Sequence, residues 1–118
     1  MVRINGKLYK SLNFTFLEEK IDDKTKKQTF RTNFIPYYKD KEIVALTFKK
    51  QFKYFIRILY YYPKQIKDLT LREALRDGFD TIESFQKGVM EINNIKDMNH
   101  WGFIIKYEPI KNVLDWLS

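Results

Sequence analysis

The sequence holds no cysteine and a single histidine, His100, among its 118 residues. Disulfides and thiolate-bound zinc are thereby excluded, and a zinc enzyme would have one histidine ligand at most. No apolar stretch reaches the roughly 18 residues that a membrane-spanning helix requires. The first ten residues, MVRINGKLYK, carry no apolar run of the signal-peptide kind. These absences lead to the expectation of a soluble, cytoplasmic chain with no membrane contact, no metal and no cofactor.

Acidic residues are also scarce, but only in the first half. From Met1 to Lys64 there are 15 Lys and Arg against 6 Asp and Glu, and from Gln65 to Ser118 the numbers are 7 and 9. The net charge of +7 therefore originates before Gln65. A surface of this kind suits polyanions, because phosphate neutralisation supplies most of the sequence-independent affinity for nucleic acid. An acidic protein would answer the same charge, so a protein-interaction adaptor with a basic face stands as a further alternative. What the chain does possess is core material, 44% hydrophobic and 17% aromatic residues, at a length that suits one domain spanning residues 1–118.

Periodicity places strands early and helices late. Leu12, Phe14 and Phe16 alternate with polar residues, which predicts a half-buried strand. Residues 18 to 27 are polar and predict an exposed connection. Extended structure resumes near Lys27 and runs through Thr32, with Pro36 at its end. Residues 41 to 49 predict a strand with Val44, Leu46 and Phe48 on one face. Residues 53 to 62 predict another, with bulk on both faces, central in a closed or strongly curled sheet and stopped by Pro63. Strict alternation would put Tyr60 and Tyr62 with Ile58, and Tyr61 with Arg57.

After Leu69 the period changes. Thr70 and Glu73 form a capping box, Leu71, Ala74 and Leu75 an apolar stripe, and Gly78 a left-handed helix end. Asp80 with Glu83 predicts a second cap, opening a helix to about Asn93 through Ile82, Phe85, Val89 and Ile92. A last strand over Trp101 to Tyr107, broken by Pro109, and a terminal helical turn over Val113 to Leu117 complete the reading.

The run from Leu69 through the Asp77-Gly78-Phe79 turn to Phe85 resembles the corresponding stretch of the ASCH family, which belongs to the PUA-like folds. There a helix led by Leu-Thr carries a small residue, here Ala74, and ends on an acidic-Gly-Phe turn before a second helix. The family's other motif, Gly-x-Lys followed by Thr and Arg, resembles the segment Lys24 to Arg31. Lys26, Thr29 and Arg31 match it, and Lys24 stands in the place of the glycine. The resemblance covers residues 12 to 108. It implies an α+β fold, a small PUA-like β-barrel of about five to six mostly antiparallel strands with two helices inserted before the last strand.

Thr29 and Arg31, two apart on a strand, share a face, and Lys26 joins them only if the chain turns near Lys26 or Lys27. Two cations and a hydroxyl together would hold an anion or a carbonyl. The expected ligand is RNA or a nucleoside, with Lys24, Lys26, Lys27, Thr29 and Arg31 as binding residues. Family members that are acetylcytidine amidohydrolases imply an alternative, in which Thr29 is the nucleophile, Lys26 the base and Asp77 the carboxylate that orients it. Those enzymes usually carry Glu at the Asp77 position, and a side chain about 1.5 Å shorter could miss its contact. Glu73 and Asp77, four apart on a helix, are weighed as metal ligands and set aside because the capping box occupies Glu73. Tyr60, Tyr61, Tyr62, Tyr37 and Tyr38 are candidate stacking rings, and His100, at a loop-to-strand junction, is read as a surface or structural residue rather than a base.

Overall fold

A computed structural model describes residues 1–32, 38, 39 and 41–110. Pro36, Tyr37 and the turn expected over Val113 to Leu117 lie outside the described residues. The chain opens with a hairpin, β1 (Val2–Ile4) and β2 (Lys7–Tyr9), joined by Asn5 and Gly6 at φ 51 and 81. Asn-Gly favours this two-residue turn because both positions need left-handed backbone. Next come β3 (Ser11–Phe14), α1 (Glu18–Asp22), β4 (Gln28–Arg31), β5 (Ile43–Phe48) and β6 (Gln51–Gln65). A single 3-10 turn at Ile66–Asp68, α2 (Leu71–Asp77), α3 (Ile82–Ile92) and β7 (Trp101–Pro109) follow.

Strands β3 to β7 form one five-stranded sheet in the order β3-β5-β6-β7-β4, with β3 parallel to β5 and the other pairs antiparallel. The mixed, mostly antiparallel sheet and the helix pair before the last strand match the α+β expectation, and β6 is central. Its inner side buries Leu12, Val44, Leu46, Ile56, Ile58 and Ile105, and its outer side buries Phe30 and Ile104 beneath Ala74, Phe85 and Val89 of the helices. Each such side chain contributes about 1.5–3 kcal/mol. Gly102 admits the Phe30 ring onto β7, since a Cβ there would stand 2.4 Å from it.

The structure corrects the sequence reading in several places. Residues 18 to 22 are helical rather than an exposed connection, and α1 turns the fully buried Ile21 into the inner core. Phe16 lies beyond β3 and is 47% exposed. Pro63 does not stop β6, which continues to Gln65. Pairing with β5 ends at Arg57, so Pro63 has a ladder only with β7 and its missing N–H costs little. A register shift between Ile58 and Tyr60 reverses the alternation: Tyr61 packs with Ile58 on the inner core, while Tyr62 packs with the outer one. The cap of α3 is Thr81 with Ser84, one residue beyond the Asp80 and Glu83 pair. The capping box of Thr70 and Glu73 and the left-handed Gly78, at φ 98, form as expected.

Candidate functional site

The two edges of the sheet, β3 and β4, are joined by a side chain instead of a backbone ladder: Arg31 Nη2 donates to Asn13 O at 2.8 Å. In the opening between them lies a cavity of about 110 Å³ whose walls include Asn13, Phe14, Phe16, Lys26, Thr29, Arg31, Asp77 and Phe79.

Each side chain arrives for a local reason. Thr29 and Arg31 share the inner face of β4, and Arg31 Nε donates to Thr29 Oγ1 at 3.1 Å. Lys26 precedes the strand, where the chain is bent back against α1 by the Lys26 N–H donating to Lys20 O at 3.1 Å. Its Nζ reaches the C-terminal end of α2, donating to Asp77 O at 2.7 Å and to the Asp77 carboxylate. The shorter side chain of Asp77 therefore does not put the carboxylate out of reach of Lys26. Gln28 Nε2 donates to Asp77 Oδ2 at 3.3 Å and to Glu73 O at 3.0 Å.

Lys26, Thr29 and Asp77 are each about 95% buried. Burial pushes the Lys26 amine down, against the attraction of Asp77, and pushes the Asp77 carboxyl up, against the pull of Lys26 and Gln28. Burial likewise pushes the Arg31 guanidinium below its usual value. The Phe14 ring takes both cations on its faces, with Lys26 Nζ 5.5 Å and Arg31 Cζ 4.9 Å from its centre. Phe16 and Phe79 stack at 6.0 Å on another wall.

Lys24 and Lys27 are not part of this cavity. Lys24 is exposed with its Nζ 5.2 Å from the Tyr54 ring, and Lys27 is exposed with its N–H on Arg76 O. Lys24 nonetheless holds φ 61, the left-handed backbone that a glycine adopts at lowest cost. Tyr38 donates to Ser11 O at 2.7 Å and packs on the inner core. Tyr60 is 49% exposed, yet it already stacks on Tyr62 and faces Lys106. His100 is exposed ahead of β7. Glu73 turns to Tyr62, Thr70 and Lys64 and Asp77 to Lys26, and no cluster of three or more His, Cys, Asp or Glu placed to hold a metal occurs among the described residues.

Sequence reasoning missed Asn13 and Phe14 as walls of the cavity. Asn13 Oδ1 accepts from Thr47 Oγ1 and from the Lys50 N–H, each at 2.8 Å. A buried-strand pattern broken by one asparagine was the available signal.

The curled sheet, the late helix pair and the cleft between the sheet edges define the α+β fold. No family model and no curated protein matches the sequence. Among solved structures, the chain is similar to an ASCH domain from Lactobacillus crispatus JV V101, with a TM-score of 0.68 at 9% identity over 85% of this chain and 79% of that one. It is also similar to a protein from Enterococcus faecalis V583 described under the family model DUF984, with a TM-score of 0.62 at 10% identity over 88% and 82%. The fold is that of the ASCH domain. No helix among the described residues is long and apolar enough to cross a membrane.

Proposed function

We propose that this chain binds RNA or an RNA-derived nucleoside, and that the cleft between β3 and β4 takes one group of that ligand. The observation that carries the reading is the gathering of Lys26, Thr29 and Arg31 with four phenylalanines around a single cavity. Its volume of about 110 Å³ is well below the roughly 300 Å³ at which small-molecule pockets begin, which suits one base-sized or smaller group rather than a length of strand. The basic first half of the chain supplies the long-range attraction for a polyanion. The test is a titration of labelled single-stranded RNA at low and physiological salt. Affinity should fall steeply with salt, and Arg31→Ala should weaken it more than Thr29→Val, since one neutral hydroxyl contact is worth about 1 kcal/mol. Absence of binding at low salt would end this reading.

A second reading, hydrolysis of an acylated nucleoside such as acetylcytidine, is favoured by one observation: Lys26 and Asp77 are in direct contact beside Thr29. It ranks second because Lys26 is committed to Asp77, and the Thr29 hydroxyl accepts from Arg31 with no hydrogen bond to Lys26. Loss of N-acylcytidine turnover in Thr29→Val would support it, and a natural protein with no turnover would exclude it for that substrate.

A further inference from the structure

Arg31 has no carboxylate of its own. Its Nε and Nη2 donate to a hydroxyl and a peptide carbonyl, both uncharged, and no Asp or Glu among the described residues pairs with it. The one carboxylate of the cavity, Asp77, is held by Lys26. Two cations against one anion leave the wall with an uncompensated positive charge, which is costly away from water. Two side-chain groups free on this wall have the same sense, and the unpaired acceptor nearby, Gln28 Oε1, belongs to a residue that does not line the cavity. Arg31 Nη1 and Asn13 Nδ2 are donors without partners among the described residues, since only the Oδ1 of Asn13 is occupied. A wall of donors with one surplus positive charge is completed by an anion rich in acceptors.

A second feature adjoins it. The turn between β5 and β6 is Lys49-Lys50, at φ 47 and 67. Both positions are left-handed, where lysine is strained and Asn-Gly is not. The turn is fastened to the cavity wall by the Lys50 N–H on Asn13 Oδ1 and the Lys49 N–H on Phe14 O, each at 2.8 Å. Asn13 thus holds Arg31 through its carbonyl and the lysine turn through its side chain. Two exposed cations are kept beside the cleft at a conformational cost.

We infer that the group held in the cleft is a phosphate-class oxyanion, bound by Arg31, and that the strand bearing it leaves across the Lys49-Lys50 turn. The inference rests on the nucleic-acid reading and narrows the ligand from a neutral nucleoside to a phosphate carrier, whether free nucleotide or RNA. The experiment titrates the protein at low salt with cytidine, cytidine 5′-monophosphate, inorganic phosphate and a short single-stranded RNA. The monophosphate should bind at least about tenfold tighter than cytidine, the gain expected of a charge-assisted contact, and RNA tighter still. Arg31→Gln should erase the gap between monophosphate and cytidine. Lys49→Asn with Lys50→Gly, a pair that suits the turn, should weaken RNA binding and leave that gap unchanged.

Equal affinity for cytidine and its monophosphate in the natural protein overturns the oxyanion assignment and leaves nucleoside binding intact; this comparison needs no variant to fold. A gap that survives Arg31→Gln overturns the role of Arg31. Inorganic phosphate and the monophosphate bound as tightly as RNA, with no effect of the turn variant, overturn the path over the lysines in favour of a free phosphate ligand. Binding of none of the four overturns the nucleic-acid reading itself.

Discussion

Glu73 and Asp77 stand one turn apart on α2 and are equally buried, at 5% and 4% exposure, yet their acidities move in opposite directions. Burial pushes the Glu73 carboxyl up, but the Tyr62 hydroxyl, the Thr70 N–H and hydroxyl and Lys64 outweigh it and hold the group below its usual range. Burial pushes Asp77 up as well, and there Lys26 and Gln28 do not restore it. The difference is one of depth as well as donors, because Asp77 is enclosed more deeply than Glu73. Glu73 closes a structural network at the start of the helix, whereas Asp77 meets a buried lysine at the wall of a cleft. Burial alone does not mark a site, and burial short of donors beside a cavity is the more telling combination.

The sharpest way to break this contrast is to remove the partners of Asp77. Lys26→Met and Asp77→Leu should each cost about 3–5 kcal/mol, because each strands a buried charge, while the double variant should fall within about 1 kcal/mol of the natural protein. Urea unfolding of the three variants checks it, and equal losses in the single and double variants would contradict the account. A smaller effect is expected at Glu73. With its folded pKa below the unfolded value of 4.5, the ionised group stabilises the fold above that pH and loses its contribution as pH falls through the folded value. Glu73→Gln should therefore cost about 1–3 kcal/mol at neutral pH and flatten the acid limb of a stability profile. Asp77 has the opposite sign: its raised value means that ionisation costs stability as pH climbs past 3.8. The smallest effect is outside the contrast, at the turn that delivers Lys26. Lys24→Gly relieves a left-handed lysine worth about 1–2 kcal/mol but adds unfolded-state freedom, so a net gain below about 1 kcal/mol should appear as a small rise in Tm.

Much of this architecture was legible in the residues, and the failures have physical causes. The strand over Ile43–Phe48 announced itself by period-two bulk, and α2 by its cap and its glycine. The bulge at β6 left no such mark, because one extra residue inverts every later side chain without altering composition. Helix α1 was hidden because a single apolar residue, Ile21, serves its buried side. The opening hairpin carries its own local signal, Asn5-Gly6 between short alternating runs. In the cleft, Lys26, Thr29, Arg31 and Asp77 were singled out together, the last from 46 residues beyond Arg31, through a family resemblance rather than through spacing. Asn13 and Phe14 could not be found that way. Asn13 left a local mark, one asparagine in a buried-strand pattern, but what brings both residues to the cavity is the curl of the sheet, a long-range property.

The junction between Arg31 and Asn13 also bears on how this sheet avoids its neighbours. An open sheet ends in two strands whose unpaired peptide groups are templates for another chain. Here β3 and β4 border one cleft, and a guanidinium occupies a β3 carbonyl that would otherwise be free. The Arg31 guanidinium thus leaves the β3 edge one free acceptor fewer for another chain to pair with.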